Sequence, residues 1–427
     1  MRAKNQILKD IEEVLRQELG SWGKDLLDGF LEELELDGVR KDDLPDLEDF
    51  CYQEMLKRGH DVEKAETVVD RLKKLRLSDE LEEIGEKRES RILLRKKFEI
   101  LKELGDVCLN LNDLEGAEKC YGEMYELSEG SEEMALDALE SLADLYLVED
   151  RIDEVEKEAK EIIKRAKESG DKEGEARGVR FAGVAAWRKG DRTEALNYLK
   201  SSLETLKEAG STEEVAKVQR DLGDIYIDGD DHEQGINFYM DAAENFGGCG
   251  RNYEKVNLLM EIGMVLSDGD EIDEAVEYFE KARSESEEHS FENYRAWCSF
   301  NLGELYLEVG RSEEAEEALK EAVELFETQG DKHGEGGAKM AYGQMLAKKG
   351  ESEDAEKMLS DAVRCFRETG SFDSQAVAHY QLYRVQERAG SYDRARENLE
   401  EALKLSDSLD MTGLKEKIER GLEDLPD

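Results

Sequence analysis

The sequence predicts an all-α fold, an α-solenoid of stacked helical hairpins, and three observations support this. The 427-residue chain contains only 2 prolines, and so few helix breakers favour long helices. Its residues repeat at a nearly constant spacing of 40. Its glycines recur at regular places, where helices are expected to end. A chain of this length exceeds one ordinary compact core, so a repeat array is favoured over a single globule.

The repeat is visible as eight segments of nine residues that align without gaps. They begin at Asn112, Asp150, Gly190, Asp230, Asp270, Gly310, Gly350 and Gly390. Successive starting points differ by 38 residues once and by 40 residues six times. This regularity predicts eight units, each with two helices of about 18 residues joined by short turns.

Within each unit, a small residue and a large residue recur at fixed positions. The small positions hold Gly105, Ala143, Gly183, Gly223, Gly263, Gly303 and Gly343, with Tyr383 in the eighth unit. The large positions hold Tyr121, Leu199, Tyr239, Phe279, Leu319, Leu359 and Leu399, with Ala159 in the second unit. Small residues let two helix backbones approach, and the large side chain fills the space beside them.

The remaining regular glycines are predicted to end helices, because glycine is favoured just after a helix. One set closes the first helix of a unit: Gly190, Gly310, Gly350 and Gly390. Another set closes the second helix: Gly170, Gly210, Gly250, Gly330 and Gly370. The residues that follow can cap the next helix at Asp171, Ser211, Asp331 and Ser371.

Residues 1–90 do not follow the repeat. They predict short amphipathic helices at about 4–18, 22–36, 46–58 and 61–75, and a charged helix from about Ser78. We predict a cap over the apolar end of the array; an independent docking or sensing domain is the alternative. The eight repeats then occupy 91–410, and 411–427 supplies a closing helix at about 412–422.

The charge of the chain excludes several classes of partner. With 60 basic and 108 acidic residues, the net charge is −48, which disfavours nucleic acids and anionic membranes. No apolar run approaches the roughly 20 residues of a membrane span. The acidity fits a high-salt habitat or a basic partner, and both interpretations stay open. The six scattered cysteines predict reduced, mostly buried thiols in a cytoplasmic protein, with Cys249 exposed among glycines.

No pattern in the sequence indicates catalysis. The five histidines are far apart, and no phosphate-binding glycine loop is present. The acidic turns at 228–233 and 268–273 lack the glycine that a calcium loop requires. We therefore predict no enzyme activity, no catalytic residues, no cofactor and no metal site.

The repeat pattern resembles the tetratricopeptide repeat. One unit shows it in Leu222, Gly223, Tyr226, Gly235, Tyr239 and Ala242. The usual unit has about 34 residues. The period of 40 resembles the longer variant in scaffolds that bind Gα-regulatory and spindle-orientation proteins, and in bacterial peptide-sensing regulators. The resemblance covers about residues 95–410 and departs from the family in its missing early tryptophan and missing proline after the second helix.

This resemblance implies a right-handed superhelix of about eight hairpins whose first helices line a concave groove. The implied groove residues are Arg177, Arg180, Trp187, Arg188, Lys217, Arg220, Met260, Met264, Trp297, Phe300, Met340, Tyr380, Arg384 and Arg388. Arginine binds carboxylates bidentately, and methionine and aromatic side chains form adaptable pockets. We therefore predict a scaffold or adaptor for a protein or peptide with acidic and apolar residues.

Several alternatives to this groove stay open. The arginines could pair with the chain's own carboxylates, and the apolar residues could pack between repeats, Trp297 and Phe300 above all. The chain could instead form a self-assembling homo-oligomer, or act as a regulatory or sensor subunit through residues 1–90. The asparagine with which chaperone-binding relatives hold a terminal carboxylate is absent from the ninth position of every unit, so we predict no chaperone-tail binding.

Overall fold

A computed structural model describes residues 4–19, 23, 24, 26, 27, 30, 44–57, 62–84, 91–269, 271–409 and 411–426. Within these ranges the regular structure is helical and contains no strand, which confirms the all-α prediction. The chain divides into two compact units, Met1–Gly250 and Arg251–Asp427. The boundary falls between the fourth and the fifth repeat.

In the described stretches 4–19, 44–57 and 62–84, unit 1 forms three helices that precede the repeats. They are α1 (Lys4–Leu19), α2 (Leu44–Lys57) and α3 (Val62–Ile84). Four hairpins follow, each made of a first and a second helix. Their helices are α4 (Arg91–Asn110), α5 (Leu114–Leu127), α6 (Glu132–Val148), α7 (Ile152–Ser169), α8 (Lys172–Arg188), α9 (Arg192–Ala209), α10 (Thr212–Asp228) and α11 (His232–Gly248).

Unit 2 holds the other four hairpins and the closing helix. Its hairpin helices are α12 (Asn252–Asp268), α13 (Ile272–Glu288), α14 (Glu292–Glu308), α15 (Ser312–Gln329), α16 (Lys332–Lys349), α17 (Ser352–Thr369), α18 (Phe372–Arg388) and α19 (Tyr392–Ser408). The closing helix is α20 (Thr412–Asp424), close to its predicted position.

The recurring small and large residues pack against each other within the hairpins, as predicted. A Cβ added to Gly263 would lie 2.8 Å from the ring of Phe279, and Gly223 faces Tyr239 in the same way. The large side chain therefore rests directly on the backbone of the opposite helix. In the last hairpin the small residue is replaced by the buried Tyr383. Its hydroxyl packs against Gly421 of α20, 3.0 Å from where a Cβ would stand.

The turns confirm the glycine predictions and part of the capping prediction. All nine predicted helix-ending glycines have positive φ, between 72° and 88°, a backbone region that glycine adopts without strain. Asp171 accepts a hydrogen bond from the backbone amide of Gly174 in the first turn of α8, at 2.9 Å. Asp331 accepts one from the amide of Gly334 in the first turn of α16, at 2.8 Å. Ser211 and Ser371 also stand at N-cap positions, but their side chains make no capping bond, so that part of the prediction was wrong.

The N-terminal helices have a core of their own and are joined to the repeats by α3. Leu72 of α3 belongs to the N-terminal core, whereas Leu77, one and a half turns later, belongs to the core of the first hairpins. The helix predicted from about Ser78 is instead the second half of α3, because Leu77 continues the apolar face of that helix. The helix predicted at 22–36 lies largely outside the described residues. The assignment of 1–90 as a cap stays a prediction.

Candidate functional site

The first helices of successive hairpins lie side by side in each unit. Within unit 1, α4, α6, α8 and α10 approach one another more closely than the second helices do. The same holds for α12, α14, α16 and α18 within unit 2. The first helices therefore line the inner side of each stack, as the resemblance implies. We call these surfaces the inner face of unit 1 and the inner face of unit 2.

Two predicted groove arginines on α8 are engaged in ion pairs within the protein. Arg177 donates from Nε to Oε1 of Glu140 on α6, at 2.8 Å. Arg180 is only 7% exposed and donates from Nε to Oδ2 of Asp221 on α10, at 2.6 Å. These bonds tie α8 to both neighbouring first helices. Asp221 was missed by the sequence analysis, because it stands one position beside the implied groove positions.

Two carboxylates near these arginines, those of Glu140 and Asp144, have raised pKa values. Burial raises the pKa of Glu140 to about 7, although Arg177 acts in the opposite direction. Desolvation by the surrounding helices also raises the pKa of Asp144, despite the nearby guanidinium of Arg180. Removing water from a carboxylate disfavours its charged form. The centre of the inner face of unit 1 is therefore a desolvated network of ion pairs.

The other predicted residues of unit 1 are more accessible. Arg188 is about half exposed, and its closest carboxylate, Asp150, is 3.8 Å away. Lys217 lies 2.6 Å from Glu214 in the preceding turn of the same helix. Arg220 is partly exposed and has a long contact with the side chain of the next residue. Their pairs are at the surface, where an ion pair contributes little and a ligand can compete for it.

Trp187 is the remaining predicted groove residue on α8. Its indole Nε1 donates to Oδ2 of Asp228 on α10, at 3.1 Å. The guanidinium of Arg188 lies 5.7 Å from its ring centroid. The side chain is partly buried.

The inner face of unit 2 carries several apolar side chains in its first three hairpins. Trp297 packs edge-to-face on Phe326, with centroids 5.0 Å apart, and contacts Phe300 at 6.0 Å. Both predicted aromatic residues are partly buried, so each packs against its neighbours and also leaves part of its side chain accessible. Met260 on α12 is nearly buried, whereas Met264, one turn later, is 44% exposed. A surface of this kind can adapt to an apolar ligand.

Met340 on α16 extends this apolar surface. It is partly buried and packs against the cores on both sides of α16. The neighbouring Gly337 faces the ring of Phe300, 3.7 Å from where its Cβ would stand. The aromatic ring therefore reaches across to the backbone of the next first helix.

The last inner-face residues, on α18, are basic and exposed. Tyr380 lies 5.7 Å from Tyr383. Arg384 donates to the side-chain oxygen of Gln381 at 3.3 Å. Within the described part of the chain, neither Arg384 nor Arg388 has a carboxylate within 4.0 Å. Their guanidinium groups therefore differ from those of Arg177 and Arg180, which already bind carboxylates.

The described residues were compared with the patterns of metal sites, membrane-spanning helices and exposed thiols. Among the described residues, no group of three or more His, Cys, Asp or Glu is arranged to hold a metal ion. No described helix combines the length and the apolar character that crossing a bilayer requires. Five cysteines are buried and Cys249 is exposed, as predicted.

Comparison with known proteins identifies the repeat. Two sequence models of the tetratricopeptide repeat match residues 254–328 and 300–374. No curated protein matches the sequence significantly. A solved signal transduction ATPase with a tetratricopeptide repeat sensor, from Pyrococcus horikoshii, shares 13% identity with a TM-score of 0.60, covering 96% of this chain and 74% of that chain.

Two further structures are similar over shorter or looser alignments. The apo quorum sensor NprR from B. thuringiensis shares 15% identity with a TM-score of 0.45, over 78% of this chain and 99% of that chain. BtubC from P. vanneervenii shares 18% identity with a TM-score of 0.43, over 52% and 92%. The fold, the small-on-large packing in the hairpins and the matching family models lead to one conclusion: this chain is a tetratricopeptide repeat protein.

Proposed function

We propose that the chain is a non-catalytic scaffold that binds a segment of another protein on the inner face of unit 2. The observation that carries the proposal is the exposure of Met264 on the same inner face that holds the partly buried Trp297 and Phe300 of α14. Arg384 and Arg388 follow on α18 without carboxylate partners among the described residues. An apolar surface beside available guanidinium groups suits a segment with apolar and acidic residues.

The inner face of unit 1 contributes differently in this proposal. Arg177 and Arg180 hold the first helices together, because their charges are already matched. Arg188, Lys217 and Arg220 are accessible enough to contact a ligand carboxylate. The net charge of −48 argues against nucleic acid or an anionic membrane as the ligand.

The proposal is tested with peptides selected from a random display library against the full chain. A selected peptide is labelled, and its dissociation constant is measured by fluorescence anisotropy. We expect Arg384→Glu combined with Arg388→Glu to weaken binding about ten-fold or more, because charge-assisted hydrogen bonds contribute roughly 1.5–3 kcal/mol each. Met264→Asp should weaken binding as well.

The matched control is Arg364→Glu combined with Lys404→Glu. These cations are exposed on the second helices α17 and α19, and the change in net charge is the same. Binding should stay within about two-fold of the wild type. Equal losses in both double variants would reject the inner face of unit 2 as the binding surface.

The two alternative functions are separated by simple measurements. Light scattering across salt concentrations tests self-assembly, which a strictly monomeric chain excludes. A sensor acting through residues 1–90 predicts that their deletion abolishes partner binding while the remaining hairpins stay folded. Because Leu77 lies in the core of the first hairpins, the deletion should end before α3 and remove only residues 1–61.

A further inference from the structure

An aromatic cluster lies at the N-terminal ends of the first helices α12 and α14 of unit 2. Tyr253, at the start of α12, packs edge-to-face on Tyr294 and Phe291, with centroids 4.7 and 5.7 Å apart. The ring of His289 lies 5.7 Å from that of Phe291. Tyr253 is 50% exposed, and the other members are partly buried. We call these four residues the aromatic patch.

The patch exists because this turn departs from the other repeats. Ser290 has a positive φ of 59° where the equivalent turns have glycine. Phe291 occupies the N-cap of α14 and makes no capping bond. The first helices of five other repeats have serine or aspartate at this position, and α12 has Arg251. A non-glycine residue in the left-handed region and an apolar N-cap both disfavour the turn. The turn therefore lacks two common stabilising features at the place where Phe291 joins the aromatic cluster.

Tyr253 departs from the repeat in the same way. The equivalent positions of the other repeats, from the second onward, hold polar or charged residues: Glu133, Glu173, Glu213, Asn293, His333 and Asp373. A large ring at this exposed position is not needed for the hairpin packing, which the other repeats achieve without it.

The surroundings of the patch are acidic. Residues 251–261 and 285–295 contain six carboxylates and three cations. Each cation is already paired: Arg251 with Glu254, Lys255 with Glu285 and Arg295 with Glu321. Glu287 and Glu288 are exposed in the last turn of α13, next to His289 in the sequence, and Glu287 lies 4.0 Å from Arg295. The patch therefore combines aromatic rings with a surplus of negative charge.

Other tyrosines of the chain already have a cation over the ring. Arg151 lies 4.3 Å from the ring centroid of Tyr146, and Arg311 lies 4.4 Å from that of Tyr306. Over the described ranges, no lysine or arginine lies over Tyr253. Tyr253, half exposed, is thus accessible to a cation from outside the chain.

We propose that the aromatic patch binds a lysine or arginine side chain of a basic partner protein. The cation would lie over the ring of Tyr253, where the ring quadrupole attracts it. The exposed carboxylates of Glu287 and Glu288 add electrostatic attraction. None of the four patch residues is among the predicted groove residues, and the proposal does not depend on the peptide-binding function proposed above.

The test uses a labelled 15-residue glycine–serine peptide with three lysines, and a matched peptide with three norleucines. Binding to the full chain is measured by fluorescence anisotropy at low ionic strength. The lysine peptide should bind and the norleucine peptide should not. Tyr253→Ala should weaken lysine-peptide binding about three- to thirty-fold, the range expected for one cation–π contact.

Two further variants make the result decisive. Tyr392→Ala removes another exposed tyrosine of unit 2, 43% accessible, without changing charge, and should leave binding within two-fold. Ser290→Gly combined with Phe291→Ser restores the turn found at Gly210 and Ser211. It should raise the melting temperature or leave it unchanged, and should still weaken binding. Two results would overturn the proposal: equal losses of binding for Tyr253→Ala and Tyr392→Ala, or undiminished binding by Tyr253→Ala and by the Ser290→Gly, Phe291→Ser double variant. In either case general charge attraction would explain the binding of the lysine peptide.

Discussion

Replacement of Arg180 by methionine should strongly destabilise unit 1. The guanidinium is 7% exposed and lies 2.6 Å from the carboxylate of Asp221. Methionine keeps much of the side-chain volume but leaves that buried carboxylate with only the longer contact to Arg220, at 3.5 Å. Breaking a buried pair on one side costs roughly 3–5 kcal/mol. The cost comes from the uncompensated charge, so it should largely disappear when both partners are replaced together.

Hydrogen exchange followed by mass spectrometry is the suitable assay, because repeat arrays open locally and need not unfold in one step. A loss of 3–5 kcal/mol corresponds to exchange faster by a factor of a hundred or more in α8 and α10. The double variant Arg180→Met with Asp221→Leu should exchange much more like the wild type. Arg188→Met on the same helix is the control, since its surface pair contributes at most about 1 kcal/mol.

Two outcomes would contradict this reasoning. A cost below about 1 kcal/mol for Arg180→Met would mean that the pair is not desolvated. A double variant as unstable as the single variant would mean that the side chain acts through packing, such as its contact with the ring of Phe181 at 5.1 Å.

Three further predictions concern other parts of the chain. Gly223→Ala should destabilise its hairpin by about 1–3 kcal/mol, because the added methyl group meets the ring of Tyr239. Gly337→Ala, whose methyl group would have its nearest atom 3.7 Å away, should instead stabilise α16 by up to about 1 kcal/mol. Urea unfolding of the two variants measures both changes. Folding raises the pKa of Glu140 from the usual 4.5 to about 7, so the folded protein holds this proton more tightly than the unfolded chain. The resulting contribution to the free energy of unfolding is full below pH 4.5 and is lost as the pH rises towards 7. Glu140→Gln should therefore gain stability relative to the wild type across that interval, which urea midpoints measured at several pH values will show. Leu77→Asp should accelerate hydrogen exchange in α3, α4 and α5 while leaving unit 2 unchanged.

The sequence predicted the hairpins well because their determinants are local and repeated. Gly263 and Phe279 are sixteen residues apart in one unit, and the same pair recurs in most copies, so the contact can be inferred from spacing alone. The turn glycines behave in the same way, since a positive φ is required wherever a helix ends and reverses. The capping bonds were less predictable: Asp171 and Ser211 occupy equivalent positions, yet only the aspartate reaches the amide.

The ion pairs of the inner face could not be predicted from spacing. Arg180 and Asp221 are forty-one residues apart, and their contact depends on how one hairpin is rotated on the next. The period identifies equivalent positions, but it does not fix this rotation. The sequence therefore identified Arg180 as facing inward without revealing that a neighbouring helix already supplies its carboxylate.

This distinction decides which arginines are suited to binding. A ligand carboxylate that approaches Arg180 must first displace Asp221, which would leave a buried charge unpaired at a cost of several kcal/mol. A ligand that approaches Arg384 or Arg388 breaks no carboxylate pair of the described chain. Carboxylates outnumber cations 108 to 60, so most cations have an internal partner within reach. Exposed arginines that remain without one keep their hydrogen-bond donors for a ligand, and the apolar side chains of Met264 and Phe300 lie on the same inner face of unit 2.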